Sequence, residues 1–387
     1  MKVLLYCQHV LGVGHLYRSL EIARALQPHE VIFIEGGRPI DEVDYPGNVR
    51  ILRLPALMMD ENFERLFSPD GEDLEAVKNR RKEVLLETCR HERPDVCVIE
   101  LFPFGRKKFR FELVPLLEML RRDFPDTLVV SSIRDILVEK KKRDEFEKKA
   151  LKYLKSFFDL VLVHSDPRVI TLQESFARFD EIPVPVEYTG YVVRKPGRCG
   201  IRAPSERSGK RIVVSNGGGS VGHELIETAI DAFGLLPLND VELDVFPGPF
   251  MPEEVKKPIE SRAARYRGIR VNTFSRDFVS ELLASDLSIS MAGYNTMMDL
   301  LSAGVFGLVY PFKQNREQAL RARRFEKFGV VRCIEKLDAE YLAGEILRCL
   351  DREPHTGREY PIDTDGALST KRILERYSRQ KKGLYRK

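Results

Sequence analysis

The chain has 387 residues, of which 43% are hydrophobic and 32% are charged, and its formal net charge at pH 7 is +4. This length suits two or three domains of ordinary size, and the composition is that of a globular protein with a charge-rich surface. The small net charge gives no support to nucleic-acid binding, and no apolar run approaches the roughly 18 residues that span a bilayer.

Short β-branched runs alternate with helical periods through the first half of the chain. The predicted strands are 2–7, 30–35, 95–100, 127–132 and 159–164. The predicted helices are 15–26, 72–91, 112–123, 139–157 and 166–177. Such alternation is typical of a parallel sheet whose two faces are both covered by helices.

The same alternation restarts in the second half. Strands are predicted at 211–216, 242–246, 269–274, 287–290 and 307–312, with helices at 222–236 and 366–382. Residues 192–210, rich in Pro, Gly, Arg and Ser, have no periodicity and are predicted to be a linker.

We therefore expect an α/β protein with two doubly wound, Rossmann-like domains facing across a cleft. The predicted domains are 1–191 and 211–365, followed by a C-terminal helix and basic tail, 366–387, that could cap either of them. Ligands of such sheets bind at the carboxyl ends of the strands, where every motif below lies.

The six cysteines, at positions 7, 89, 97, 199, 333 and 349, form no Cys-x-x-Cys pair and no metal-ligand spacing with histidine. The first residues form a strand pattern rather than a basic leader. We expect reduced thiols in a cytoplasmic protein, with at most peripheral contact at the inner face of the membrane.

The first motif, GVGHLYRSLEIARAL (12–26), lies between a predicted strand and a predicted helix. Gly12 and Gly14 permit a tight turn and a close approach of a ligand to the backbone, and the helix N-terminus favours an anion. We expect His15 in the first helical turn, where it is either catalytic or only a capping residue.

A dinucleotide site is a weaker alternative for this motif. Tyr17 stands where the dinucleotide fingerprint needs a third glycine, although Glu35, at the end of the second predicted strand, could hold a ribose.

The second motif, SNGGGSVGHE (215–224), also joins a strand to a helix. Gly217, Gly218 and Gly219 can present consecutive N–H groups to an anion, and Ser220 adds a hydroxyl. A P-loop is excluded because no Gly-Lys-Ser/Thr follows. The motif predicts a phosphate site.

The third motif, SMAGYNTMMDLLSAG (290–304), places small and polar residues at a helix start after a strand. These residues are Gly293, Tyr294, Asn295 and Thr296. Asp299 lies one turn later, where its carboxylate can accept both hydroxyls of a ribose or can remain a solvated helix acid.

The fourth motif begins a helix with Glu317 and Gln318, whose side chains could contact sugar hydroxyls. The basic residues that follow, Arg321, Arg323, Arg324 and Lys327, are predicted to form a solvated helix face. The segment FPFGRKKFRF (102–111) either grips a lipid or polyanionic acceptor or buries its aromatic residues.

Jointly these motifs resemble GT-B glycosyltransferases of family 28, which includes the enzyme that makes lipid II, and more closely the bacterial and archaeal group of predicted glycosyltransferases related to it. In this resemblance, GVGHLYRSLEIARAL is similar to the N-terminal Gly-rich loop with its histidine. NGGGSVGHE resembles the donor-diphosphate loop, and Asp299 stands where the family has its ribose-binding Glu. NREQ resembles the segment that touches the donor sugar.

The stretch NTFSRDF (272–278) resembles the nucleobase loop, with Phe274 at the aromatic position and Ser275 offering backbone to the base. SIRDIL (132–137) and ELFPFGRKKFRFEL (100–113) resemble stretches typical of the predicted group. GVGHLYRS also resembles the UDP-sugar hydrolase of pseudaminic acid synthesis, in which the comparable histidine serves hydrolysis.

The resemblance implies a glycosyltransferase that moves a sugar from a nucleotide-diphosphate sugar, with a UDP-sugar as the expected donor, to an acceptor hydroxyl with inversion. The acceptor is left open between a lipid-linked and a small molecule, and no nucleic-acid partner is expected. His15 is the expected base, and Asp135, after the strand at 127–132, could be the base instead or orient His15. No metal and no cofactor are expected. A UDP-sugar hydrolase or epimerase and a non-catalytic nucleotide-sugar binding protein are the alternatives.

Overall fold

The computed structural model describes residues 1–8, 14–37, 43–59, 65–140, 142–196, 209–218, 221–237, 240–248, 251–272, 275, 277–312, 316–351 and 358–385, without the side chains of 384 and 385. These residues form two compact units. The first unit comprises Met1–Val192 together with Asp363–Lys387, and the second comprises Val193–Ile362. The segment after residue 362 therefore belongs to the first unit. The C-terminal helix, which could have capped either domain, caps the first one.

A parallel sheet forms the centre of the first unit. Its strands are β1 (Lys2–Cys7), β2 (Glu30–Glu35), β3 (Val49–Arg53), β6 (Val96–Glu100), β7 (Leu128–Arg134), β8 (Leu160–His164) and β9 (Val186–Tyr188), and a separate antiparallel pair is formed by β4 (Met58–Met59) and β5 (Leu66–Phe67). The order in the seven-stranded sheet is β3-β2-β1-β6-β7-β8-β9.

Helices cover both faces of this sheet, so its central strands are apolar on both sides. The helices are α1 (Gly14–Ala25), α2 (Leu74–Glu92), α3 (Arg110–Asp123), α4 (Arg143–Phe157) and α11 (Gly366–Tyr385). Alternate residues of β1 enter two cores: Leu4 and Tyr6 pack with residues of α2 and α3, whereas Val3 and Leu5 pack with residues of α1 and α11.

The second unit repeats this plan with a six-stranded parallel sheet. Its strands are β10 (Lys210–Ser215), β11 (Val241–Phe246), β12 (Ile269–Val271), β13 (Leu287–Met291), β14 (Gly307–Tyr310) and β15 (Val331–Cys333), in the order β12-β11-β10-β13-β14-β15. Its helices are α5 (His223–Phe233), α6 (Glu253–Ala263), α7 (Phe278–Leu283), α8 (Tyr294–Ala303), α9 (Arg316–Lys327) and α10 (Ala339–Leu350). The predicted α/β class with two doubly wound, Rossmann-like domains is confirmed.

The predicted helix at 166–177 is wrong. The Asp166 carboxylate accepts a hydrogen bond from the Arg168 backbone N–H at 2.9 Å and pairs with the Arg168 guanidinium. This local bonding competes with a helix, and the segment forms only a short 3₁₀ turn at Leu172–Glu174. The strands β3, β9 and β15 were not predicted. Each lies at a sheet edge, and charged residues (Arg50 and Arg53, Glu187, Arg332) interrupt its apolar pattern.

Within the described ranges, no helix combines the length and the apolar character that crossing a membrane requires.

Candidate functional site

Each sheet has one point at which its strand order reverses, and the first three motifs lie at these points. In the first unit, β1 pairs with β2 on one side and β6 on the other, so the reversal falls between β1 and β6. In the second unit it falls between β10 and β13. Crevices form at the carboxyl ends of strands at such points, and open α/β sheets bind ligands there.

In the first unit, the reversal point holds His15 and Glu100. His15 is the second residue of α1, and Glu100 is the last residue of β6. The His15 Nδ1 lies 2.6 Å from the Glu100 Oε1. A carboxylate at this distance requires a proton on Nδ1, so the neutral imidazole keeps its lone pair on Nε2.

Two arginines complete this cluster. The Arg18 Nη2 donates to the Glu100 Oε1 at 2.7 Å, and the Arg106 Nη2 donates to the Glu100 Oε2 at 3.2 Å. The Glu100 and Arg18 side chains are each 2% exposed, whereas that of His15 is 24% exposed. His15 is therefore the member of the cluster that a substrate can reach.

The charges of the cluster follow from burial and proximity. Burial lowers the pKa of His15 to about 4, with Arg106 and Arg18 adding to the effect against the opposing pull of Glu100. Burial by itself would raise the pKa of Glu100, but His15, Arg106 and Arg18 together hold it well below its usual range. Near pH 7 the pair is a carboxylate and a neutral imidazole, which is the form that a general base needs.

Glu100 was not assigned a role from the sequence, although it closes the strand DVCVIE and opens the quoted stretch ELFPFG. Its contact with His15 depends on β6 lying beside β1, and no spacing in the chain gives that adjacency.

Asp135, the other candidate base, follows β7 and is fully buried. Its Oδ1 accepts a hydrogen bond from the Ile136 N–H at 2.8 Å, which anchors the turn after the strand. Since β6 separates β7 from β1, Asp135 stands one strand further from His15 than Glu100 does.

A second histidine, His164, ends β8 and is fully buried. Its Nε2 lies 2.7 Å from the Ser132 Oγ and its Nδ1 lies 2.9 Å from the Thr189 Oγ1. Burial, followed by the charge of Arg18, lowers its pKa to about 3. His164 is a neutral, hydrogen-bonded part of the interior.

A buried ion pair supports the segment that precedes the first motif. Arg81 and Glu112 are both fully buried and form a fork with N–O distances of 2.7 and 2.8 Å. Arg81 also donates to the Gln8 Oε1 at 2.7 Å, and the Tyr6 hydroxyl donates to Glu112 at 2.5 Å. Gln8 follows Cys7, the last residue of β1, so this network fixes the direction in which the chain leaves β1.

In the second unit, the loop after β10 is held in shape by Asn216. Its Nδ2 donates to the Val221 carbonyl at 3.1 Å, and its Oδ1 accepts from the Gly248 N–H at 3.0 Å. Gly217 and Gly222 have φ values of +68° and +82°, which side chains disfavour. Gly222 also packs against Met291, whose Sδ would lie 2.8 Å from an added Cβ.

The glycine loop meets the start of α8 at Thr296. A Cβ built on Gly217 would lie 3.9 Å from the Thr296 Oγ1, and one built on Gly293 would lie 3.7 Å from it. Gly293 precedes the first residue of α8, whose terminal N–H groups and dipole favour an anion. These predicted donor-binding residues are thus brought together, with Tyr294 and Asn295 in the same helical turn.

Other predicted donor-binding residues have partners within the second unit. Asp299 is buried and pairs with Arg194. The Gln318 Oε1 accepts a hydrogen bond from the Phe312 N–H at 3.0 Å, and Glu317 beside it is buried. Gly14 begins α1, Gly218 follows Gly217 in the loop after β10, and Ser275 lies between β12 and α7.

Gly12, Gly219, Ser220 and Phe274 lie outside the described residues.

The prediction of a solvated basic face on α9 is wrong for Arg321. This residue is fully buried, and its guanidinium lies 5.4 Å from the centre of the Tyr294 ring. It therefore packs beneath the start of α8, a position that the run of basic letters does not reveal. In FPFGRKKFRF, Phe102, Phe104 and Phe109 are buried, so the loop buries these aromatic residues.

Comparison with known proteins finds a family match in the second unit. Residues 213–361 match the glycosyltransferase family 28 C-terminal domain. The match spans most of the second unit. The glycine loop after β10 and the start of α8 both lie within the matched residues.

A curated relative is the UDP-N-acetylglucosamine--N-acetylmuramyl-(pentapeptide) pyrophosphoryl-undecaprenol N-acetylglucosamine transferase of Acidithiobacillus ferrooxidans, 30% identical over 145 residues. The match covers 35% of this chain, and the chain spans about two fifths (39%) of the relative's length.

Solved structures extend the likeness to the whole chain. The Acinetobacter baumannii MurG structure is 14% identical, with a TM-score of 0.55 and coverage of 99% of this chain and 100% of that one. A putative UDP-N-acetylglucosamine 2-epimerase from Listeria monocytogenes is 14% identical, with a TM-score of 0.61 and coverage of 97% and 94%. The kitacinnamycin glycotransferase is 15% identical, with a TM-score of 0.58 and coverage of 100% and 98%. At these identities the likeness shows the fold, and the fold of this family 28-like chain is GT-B.

Proposed function

We propose that this protein is a glycosyltransferase that moves a sugar from a nucleotide-diphosphate sugar, with a UDP-sugar as the expected donor, to an acceptor hydroxyl. The observation that carries the proposal is the His15–Glu100 pair, in which a neutral imidazole is oriented by a buried carboxylate. The match of residues 213–361 to the family 28 C-terminal domain supports the proposal, because the glycine loop after β10 and the start of α8 lie together there and a helix N-terminus favours an anion.

In the proposed reaction, the His15 Nε2 takes the proton of the acceptor hydroxyl as that oxygen attacks the anomeric carbon. The bond from the anomeric carbon to the phosphate oxygen breaks, and the nucleoside diphosphate leaves with the electron pair. Attack from the face opposite to the leaving group inverts the configuration. Glu100 stabilises the imidazolium that forms, as a carboxylate does for other histidine bases.

The charge of the leaving diphosphate needs stabilisation. The terminal N–H groups of α8, the Thr296 hydroxyl and the loop of Gly217 and Gly218 are the groups assigned to it. Because these protein groups stabilise the charge that a metal ion would otherwise neutralise, the proposed reaction needs no metal ion.

A lipid-linked acceptor is the acceptor class that we propose. The curated relatives transfer their sugar to a pyrophosphoryl-undecaprenol substrate, as their names state. A protein acting on such a substrate works at the inner face of the membrane as a peripheral enzyme.

A thermal-shift screen over nucleoside diphosphates and their sugars tests the donor assignment. We expect stabilisation by UDP and at least one UDP-sugar, and transfer of that sugar to a polyprenyl-diphosphate-linked sugar. Release of free sugar in buffer alone, at the rate seen with acceptor, would instead identify the hydrolase. Interconversion of two UDP-sugars would identify the epimerase, and binding without any turnover the non-catalytic alternative.

A further inference from the structure

Arg194 forms an ion pair with Asp299, the residue expected to hold the ribose. Its Nε donates to the Asp299 Oδ1 at 3.0 Å and its Nη2 donates to the Asp299 Oδ2 at 2.5 Å. The Ser302 hydroxyl, on the same helix as Asp299, donates to the Arg194 carbonyl oxygen. Backbone and side chain of Arg194 are therefore both attached to α8.

This fork uses both oxygens of Asp299. A carboxylate that accepts the two hydroxyls of a ribose presents the same two oxygens, so guanidinium and ribose would compete for them. The Asp299 side chain is 6% exposed and that of Arg194 is 21% exposed, so the arginine is the partner nearer to solvent. A ligand reaching Asp299 meets Arg194 first.

The environment of Asp299 makes some partner necessary. Burial raises the pKa of its carboxyl, and Arg194 opposes that effect. An ionised carboxylate in this position needs a charged or hydrogen-bonded partner, and either the guanidinium or a pair of hydroxyls can fill that role.

We propose that Arg194 is an internal occupant of the ribose site, and that the 2′- and 3′-hydroxyls of the donor nucleotide displace it from Asp299. This inference rests on the proposed function. Arg194 stands two residues after Val192, where the first unit ends. Donor binding therefore frees the Arg194 side chain, while the hydrogen bond from Ser302 still holds its backbone to α8.

The test is calorimetry of the full chain with UDP, ADP, GDP and CDP and with their 2′,3′-dideoxy forms. Arg194→Met removes the competitor, so we expect the preferred ribonucleotide to bind about tenfold more tightly than to the wild type, the scale of one hydrogen bond to a charged group. The dideoxy form should bind both proteins equally. Lys195→Met, which removes the neighbouring exposed charge, is the matched control and should match the wild type.

Unchanged or weaker ribonucleotide binding by Arg194→Met would overturn the inference while leaving the proposed function intact. An equal gain for the dideoxy form would overturn it as well, because the effect would not depend on the ribose hydroxyls. Should Arg194→Met not fold, Arg194→Lys carries the test, since an ammonium cannot form the fork and a smaller ribose-dependent gain is expected. Failure of every nucleotide to bind any variant would refute the proposed function and this inference with it.

Discussion

Replacing Glu100 by Gln tests the proposed base most directly. The substitution keeps the side-chain shape but removes the charge 2.6 Å from the His15 Nδ1. The centres of the two delocalised charges lie further apart than these atoms, at about 4 Å, where unit charges interact by about 4 kcal/mol at an effective dielectric constant of about 20. That energy corresponds to about three powers of ten in rate, as an upper limit for the stabilisation of the imidazolium. Because the His15 side chain is 24% exposed and water screens part of this attraction, we expect kcat to fall by about 10²-fold.

The assay is release of nucleoside diphosphate from the donor identified in the screen, measured between pH 4 and 9. In the wild type, the His15 pKa of about 4 places the acid limb of kcat/KM near that pH, since protonation removes the base as the pH falls. Glu100→Gln should lower kcat on the plateau while leaving the Kd for the nucleotide within about threefold. Glu118→Gln, on the exposed side of α3, removes an equal charge and should change neither quantity.

His15→Ala should cost about 10²–10⁴-fold in kcat, and the double variant should be no slower than His15→Ala alone, because the two residues act as one unit. Two results would refute the reasoning: a folded Glu100→Gln protein with kcat within about threefold of the wild type, or additive losses in the double variant. Melting temperatures measured for each variant separate loss of catalysis from loss of fold.

Further outcomes are expected from the rest of the molecule. Because the pKa of His164 is lowered to about 3, the unfolded chain binds more protons below pH 6.5, so stability should fall as the pH drops from 6.5 toward 3; His164→Gln should flatten that slope in urea titrations, and an unchanged slope would contradict the assignment. Glu112→Ala leaves the fully buried Arg81 without its carboxylate and should cost about 3–5 kcal/mol, whereas a cost under 1 kcal/mol by chemical denaturation would show that the site rehydrates. Gly222→Ala combines a φ of +82° with a collision against the Met291 Sδ. It should lower the melting temperature more than Gly329→Ala, where φ is +71° and the space is open; equal melting temperatures would rule out the collision. Turnover should survive EDTA, and a loss restored by Mg²⁺ would refute the assignment of leaving-group charge to backbone and hydroxyl groups.

The parts of the fold that the sequence predicts are those that depend on local pattern. A buried parallel strand is a short apolar run, so the ends of β1, β10 and β13 could be located before the structure was known. The glycine motifs could then be placed at strand ends, and Gly217, Gly293 and Thr296 do converge. The helix expected at 166–177 does not form because the Asp166 side chain accepts a hydrogen bond from the Arg168 N–H, and this local bond competes with helical bonding.

The partners of the site residues depend on strand order and could not be read from the chain. Glu100 reaches His15 across 85 residues, and Arg194 reaches Asp299 across 105. Arg321 shows the same limit for burial, because a guanidinium under an aromatic ring and one in water give the same letter in the sequence.

The return of α11 to the first unit has a consequence for synthesis. Residues 193–362 form a unit inserted between two parts of another, so the ribosome finishes the inserted unit while its host still lacks a helix. Until α11 emerges, the apolar face of α1 and β1 against which Leu374 packs has no cover. The host unit therefore completes its fold last although its first strand is made first. Truncation at residue 362 should leave the inserted unit intact and expose that face to chaperones and proteases.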